Sequence, residues 1–275
     1  MWFVFDIGNS SIKGGLFDGD RLVRTFVLPH DPEELAIGLD SELKVGRGQE
    51  VDDETASKAP LSGGRGTAFD ASEESLRAGL ASVVPASAER LAGLLGARGV
   101  DVTVVEHQMR LPFRLAYRTP ETLGADRLAA ATAAWMHFGR AGRRSVVALD
   151  AGTAFTCEVV EGTGTYLGGT IGPGPALLQR ALTHETAQLP EVPLELPASP
   201  IGPSTREAIQ SGVLYGFIET VKGLLRRIDE ALGEEAFVVA TGGWSRLLRE
   251  HVEDVDAVDA HLVLRGIRIL MALNR

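Results

Sequence analysis

Two phrases in this chain set a carboxylate, a glycine and small polar residues in the same order after an apolar run. Residues 3–17 read FVFDIGNSSIKGGLF and residues 146–160 read VVALDAGTAFTCEVV. Asp6, Ile7, Gly8, Asn9 and Ser10 interrupt the first; Asp150, Ala151, Gly152 and Thr153 stand at the matching place in the second. Each copy predicts an apolar strand, an Asp-x-Gly turn and a returning strand. Such a unit suits phosphate and metal binding. Glycine lets backbone N–H groups approach an anion closely, and hydroxyls donate to it. A carboxylate at the strand end can face a cation that bridges phosphates. Lys13, seven positions after Asp6, adds a point charge on the returning strand. One copy alone would also fit an ordinary hairpin with a polar turn. The recurrence favours phosphate, and two units facing across a cleft would grip a nucleotide from both sides.

Thr241-Gly242-Gly243 is a third glycine switch, following Val238-Val239-Ala240 and preceding a helix, where anions or flat ligands can approach closely. Gly124, Ala125, Asp126 and Arg127 open an alanine-rich helix. Periodicity explains Asp126 without any chemistry, because an acidic residue in a first turn favours the helix dipole. The six histidines (His30, His107, His137, His184, His251 and His261) show no ligand spacing, so no zinc site is expected. Trp135 and Trp244 read as packing residues. Cys157, the only cysteine, excludes an intramolecular disulfide and reads as a buried strand residue.

These motifs need elements to hold them. After the first hairpin, Gly19-Asp20 supplies a turn. The pattern then decays from 29 to 75, which reads as a long surface excursion. Residues 76–85 predict a buried strand, 86–97 a helix and 100–105 a strand, the alternation of an α/β layer. Residues 122–139 carry Leu128, Ala131, Trp135 and Phe138 at helical spacing. Residues 168–175 read as a glycine-proline loop leading into a helix at 176–182. Five prolines make 189–203 an extended segment. One or two helices follow over 204–232, with Ser204-Thr205-Arg206-Glu207 resembling a capping box. A short buried strand at 237–240, a helix from Trp244 and an apolar-faced helix at 262–274 complete the chain.

At 275 residues the chain has room for two modest domains. A net charge of −10 argues against a nucleic-acid partner, since nothing would displace counterions from a phosphate backbone. An acidic protein can still hold ATP through a few local donors and a metal ion. No apolar run reaches transmembrane length, and Asp6 comes too early for a signal peptide. The expectation is a cytoplasmic protein with no membrane partner.

Taken together these segments resemble the type III pantothenate kinases, within the acetate and sugar kinase, chaperone ATPase and actin superfamily. DIGNSSIK resembles the first phosphate motif, YRTPETLGADR the substrate motif and LDAGTA the second phosphate motif. GGTIGPGPALLQRALTHETAQLP resembles a signature of this family, with STREAIQSGVLYG, VVATGG and LVLRGIRILMALN in order after it. Asp-x-Gly units indicate the superfamily only; the Gly-Ala-Asp-Arg and Gly-Gly-x-Ile-x-Pro-Gly segments narrow it. The stretch 29–75 departs from the family pattern but touches no motif.

The resemblance implies an α/β fold of two ribonuclease-H-like (actin-like ATPase) domains with a nucleotide cleft between them. They would be 1–117, with the first phosphate motif and an insertion at about 29–75, and 118–275, with the remaining motifs. It implies that Asp6, Ile7, Gly8, Asn9, Ser10, Ser11, Ile12 and Lys13 hold the ATP phosphates, with Asp6 near Mg²⁺, and that Thr153 also contacts ATP. Asp150 would bind a monovalent cation, K⁺ or NH₄⁺. Tyr117, Gly124, Ala125, Asp126, Arg127 and Thr205 would bind pantothenate, with Asp126 as general base. The implied reaction is ATP-dependent phosphorylation of pantothenate, the first step of coenzyme A biosynthesis, by a homodimer. Two alternatives remain at this point: another small-molecule kinase of the superfamily, and a regulatory protein that binds ATP without turning it over.

Overall fold

The computed structural model describes residues 1–47 and 76–275, and the chain divides into two units. The first comprises Met1–Leu111, Thr119–Thr132 and Val263–Arg275; the second comprises Pro112–Arg118 and Ala133–Leu262.

In the first unit β1 (Trp2–Ile7), β2 (Ile12–Asp18) and β3 (Arg21–Leu28) form an antiparallel meander. Two parallel strands, β4 (Arg77–Ser82) and β5 (Asp101–Val104), extend the sheet in the order β3-β2-β1-β4-β5. β1 is apolar at nearly every position because both faces of the sheet are covered. Phe3, Phe5 and Ile7 pack with Leu35, Leu39 and Leu43 of α1 (Pro32–Gly46) and with Leu91 and Leu95 of α2 (Pro85–Gly96). The other face lies against α7 (Leu262–Leu273): a Cβ on Gly79 would stand 2.4 Å from Met271 and 2.8 Å from Ile267.

The helix α1 occupies part of the stretch where the sequence shows no sustained period. Its signals are short but physical. Asp31 caps it, its carboxylate accepting from the N–H groups of Glu33 (3.0 Å) and Glu34 (3.1 Å). Pro32 opens the first turn, and Leu35, Leu39 and Leu43 make a stripe at four-residue spacing. The remainder of that stretch, 48–75, lies outside the described residues.

In the second unit β7 (Val146–Ala151), β8 (Ala154–Glu161) and β9 (Thr165–Pro173) form the meander, and β10 (Phe237–Thr241) and β11 (Ala257–Val258) run parallel to β7. The two-residue β6 (Arg114–Leu115) adds an edge, giving the order β11-β10-β7-β8-β9-β6. Without β6, this is the order of the first sheet with each strand exchanged for its counterpart. The duplicated hairpin is therefore part of a duplicated ribonuclease-H-like sheet, the actin-like ATPase architecture. One face of β7 (Val147, Leu149 and Ala151) packs with Phe217, Val221 and Leu225 of α5 (Thr205–Leu232) and with Leu248 of α6 (Ser245–His251).

β9 corrects the glycine-proline loop expected at 168–175: the chain continues as a strand to Pro173, and α4 (Pro175–Glu185) begins directly after it. Its glycines serve close approach. A Cβ on Gly169 would lie 1.7 Å from the Cys157 carbonyl oxygen, and one on Gly172 would lie 2.3 Å from the Phe155 ring. Cys157 is fully buried, and burial pushes its thiol up to about 12, so it is protonated and inert at neutral pH. The α5 helix is a single element capped by Ser204. The Ser204 hydroxyl accepts from the Glu207 N–H (3.3 Å) and donates to the Glu207 carboxylate (2.6 Å). No helix among the described residues is long and apolar enough to cross a membrane.

Candidate active site

The first Asp-x-Gly turn is a tight, anchored hairpin end. Asp6 pairs in register with Lys13, and Ile7 with Ile12. The Gly8 N–H donates to the Ser11 carbonyl at 3.1 Å, closing the turn. Ile7 and Ile12 are fully buried, so their side chains pin the turn and only their main chain could meet a ligand. Asn9, Ser10 and Lys13 are exposed. Among the described residues the N–H groups of Asn9 and Ser10 have no backbone acceptor, the arrangement an anion would use.

In the second unit Asp150 pairs in register with Thr156 on β8 and with Thr241 on β10. The Thr241-Gly242-Gly243 turn packs directly on this hairpin. Gly242 has φ +85°, and a Cβ there would stand 2.5 Å from Asp150 Oδ1 and 2.6 Å from the Ala151 carbonyl. Only glycine fits both the conformation and the space. The Trp244 N–H, at the start of α6, donates to Ala151 O (3.0 Å), and the Gly174 N–H, just before α4, donates to Thr153 O (3.0 Å). Two helix starts and two glycine switches thus converge on the turn that carries Thr153, an exposed residue. Thr156 Oγ1 is buried and takes no hydrogen bond from the described residues.

The proposed acceptor-side residues fall at three places: the start of α3 (Ala125–Ala134), the connection after β6 and the first residue of α5. Gly124, Ala125, Asp126 and Arg127 form the start of α3, in the first unit. The helix begins three residues later than the sequence pattern suggests, after a 3₁₀ turn at Pro120–Thr122, and it ends in a π turn at Trp135–Gly139. Asp126 is half-buried, and its Oδ1 accepts from the Arg127 N–H at 2.8 Å. Gly124 makes room for this, since a Cβ there would lie 2.5 Å from Asp126 Oδ1. Arg127 is buried. Tyr117, in the second unit, meets Tyr166 edge to face with ring centroids 6.0 Å apart. Gly168, at φ +117°, holds its backbone against the Tyr117 ring, which a Cβ would meet at 3.3 Å. The Tyr166 hydroxyl donates to the fully buried Glu158. Thr205 is the first residue of α5 and is exposed. Among the described residues no three of His, Cys, Asp and Glu converge as a metal-ligand group.

Sequence reasoning missed two residues. His30 contacts the first turn, and Thr156 stands opposite Asp150 at the position Lys13 holds opposite Asp6. Aligning the two phrases on their aspartates does not find the second, because the second turn is one residue shorter and the alignment sets Cys157, not Thr156, in the place of Lys13. The first has no local signal, because His30 lies on a different connection from the turn it touches.

The sequence model described as Type III pantothenate kinase matches residues 2–227. The chain belongs to this family. It is 31% identical over 278 residues to the type III pantothenate kinase of Brevibacillus brevis, covering 100% of both chains. It is 40% identical over 201 residues to that of Chlorobaculum parvum, covering 70% of this chain and 73% of the relative. Among solved structures, a conserved Baf family protein from Campylobacter jejuni superposes with a TM-score of 0.56 at 21% identity, covering 98% of this chain and 97% of the other; that likeness speaks for the fold. The span matched by the family takes in every candidate residue from Asp6 to Thr205 and stops short of the Thr241-Gly242-Gly243 turn.

Proposed function

We propose that this chain transfers the γ-phosphoryl group of ATP to the primary hydroxyl of pantothenate, giving ADP and 4′-phosphopantothenate, the first step of coenzyme A biosynthesis. Membership of the family over residues 2–227 carries this reading. The duplicated Asp-x-Gly hairpins and the capped start of α3 support it.

In this proposal the turn from Asp6 through Ile7, Gly8, Asn9, Ser10, Ser11 and Ile12 to Lys13 holds the ATP phosphates, with Thr153 as a further contact. Lys13 sets a charge on the transferring phosphate. Tyr117, Gly124, Ala125, Asp126, Arg127 and Thr205 bind pantothenate. Asp126 takes the hydroxyl proton as the new O–P bond forms and the bond to ADP breaks; alignment and charge neutralisation supply the rest. Asp6 is the carboxylate that would face Mg²⁺, which neutralises phosphate charge when bound. Asp150, with the buried and unpartnered Thr156 hydroxyl opposite it in register, is a hard-oxygen set that fits K⁺ or NH₄⁺. The proposed assembly is a cytoplasmic homodimer. The exposed Leu167 and Ile171 of β9 offer apolar surface to such a contact, and a monomeric mass by light scattering would remove it.

A coupled assay of ADP release tests the reaction. ADP should appear only with pantothenate present and should fall when K⁺ is replaced by Na⁺. Turnover on acetate or a hexose instead would identify another kinase of the superfamily. ATP binding with no turnover on any of the three would make the chain a regulatory protein.

A further inference from the structure

We propose that His30 is a positioning residue for the nucleotide: it fixes the phosphate-binding turn through the Gly8 carbonyl. This rests on the reading above that the first Asp-x-Gly turn holds ATP.

His30 Nε2 lies 3.0 Å from the Gly8 carbonyl oxygen, and Nδ1 lies 3.2 Å from Ser87 Oγ in the first turn of α2. A carbonyl can only accept, so Nε2 carries the proton and donates to Gly8. The imidazole is itself held on a short, anchored connection. Leu28, the last residue of β3, is buried on one side, and Asp31 caps α1 on the other. The Ser87 hydroxyl holds the ring's second nitrogen and so sets the ring plane.

The bond reaches the ligand through the peptide group. The Gly8–Asn9 peptide is planar and trans, so pinning the Gly8 C=O fixes the Asn9 N–H in the opposite direction. The neighbouring groups are tied as well: Ile7 O accepts from Val83 N–H at 3.2 Å, and Gly8 N–H bonds to Ser11 O. Two successive carbonyls after Asp6 are therefore held from outside the hairpin, one by the β4–α2 connection and one by His30. Glycine at position 8 has the widest conformational freedom in the turn, and without His30 this peptide could rotate. The imidazole need not touch ATP. It removes a rotational freedom that nucleotide binding would otherwise have to freeze.

Steady-state kinetics on the intact protein test this. His30→Ala should raise KM for ATP by about tenfold, with KM for pantothenate and the melting temperature nearly unchanged. His30→Gln, whose amide nitrogen can reach the same carbonyl, should recover most of the loss. Ser87→Ala, which frees the ring plane but keeps the donor, should raise KM for ATP by about two- to threefold. An unchanged KM for ATP in His30→Ala overturns the proposal, as does an equal rise in both KM values or a failure of glutamine to rescue. If His30→Ala does not fold, an unchanged KM for ATP in Ser87→Ala overturns it instead. Lys13→Ala separates this from the underlying reading. If Lys13→Ala raises KM for ATP and His30→Ala does not, only the role of His30 fails. If Lys13→Ala has no effect either, the turn is not the nucleotide site and the proposal fails with it.

Discussion

Asp126→Asn lowers kcat by about 10²- to 10⁴-fold, the range that a positioned proton acceptor contributes, while ATP binding is retained. The substitution isolates chemistry from architecture. Asparagine keeps an oxygen that can accept from the Arg127 N–H, so the first turn of α3 stays capped and the clearance that Gly124 provides is still filled. What it loses is the carboxylate oxygen that, in the proposed reaction, takes the hydroxyl proton of the acceptor. Single-turnover kinetics with calorimetric titration of ATP separate the two effects. A variant that turns over at the parent rate removes Asp126 from the reaction, and one that no longer binds ATP assigns it a structural role.

Gly266→Ala destabilises the protein by about 3 kcal/mol, at the upper end for an overpacked core site, which lowers the melting temperature by about 6–12 °C. Helices α7 and α3 cross here with their backbones in contact. A Cβ on Gly266 would stand 1.8 Å from the Ala129 carbonyl oxygen and 2.4 Å from its carbon. Backbone cannot step aside as the end of a side chain can. Ala129 lies one helical turn beyond Asp126, so kcat falls with stability in this variant. Gly212→Ala in α5 is the control. Its Cβ would meet nothing within 4 Å, and the substitution raises stability by a few tenths to about 1 kcal/mol. Differential scanning calorimetry on both variants checks the contrast. Equal melting temperatures would mean that the two helices part easily.

Most of the architecture could be read from the chain because its signals are local. Both hairpins announce themselves by an aspartate closing an apolar run, and α5 by a serine cap with glutamate three residues on. The start of α3 was visible in the Gly-Ala-Asp-Arg step. The misreadings share one physical cause: the deciding partner stands on another element. Residues 168–173 look like a loop until β8 stands alongside, because glycine is then required by the Cys157 carbonyl and the Phe155 ring. The Leu35, Leu39 and Leu43 stripe is short and mixed with polar residues, and the buried face of β1 gives it meaning. His30 gains its importance from Gly8 and Ser87, which no spacing rule connects to it. The candidate site divides likewise. Its charged and glycine residues are marked by type, whereas the groups that hold them (Thr156, Gly168, Gly174) are set by register and close approach.

The first unit is assembled from three separated stretches, and its sheet is covered on one side by a helix made only after the second unit has been translated. At a synthesis rate of about 5–20 residues per second, roughly 8–30 s separate the appearance of β5 from that of α7. The strands of the second sheet are all made within that interval, the last of them just before α7, while Gly15 and Gly79 await their partners Leu264, Ile267 and Met271. One face of the first sheet therefore stays uncovered until α7 is made, and the half that begins first is the half that finishes last.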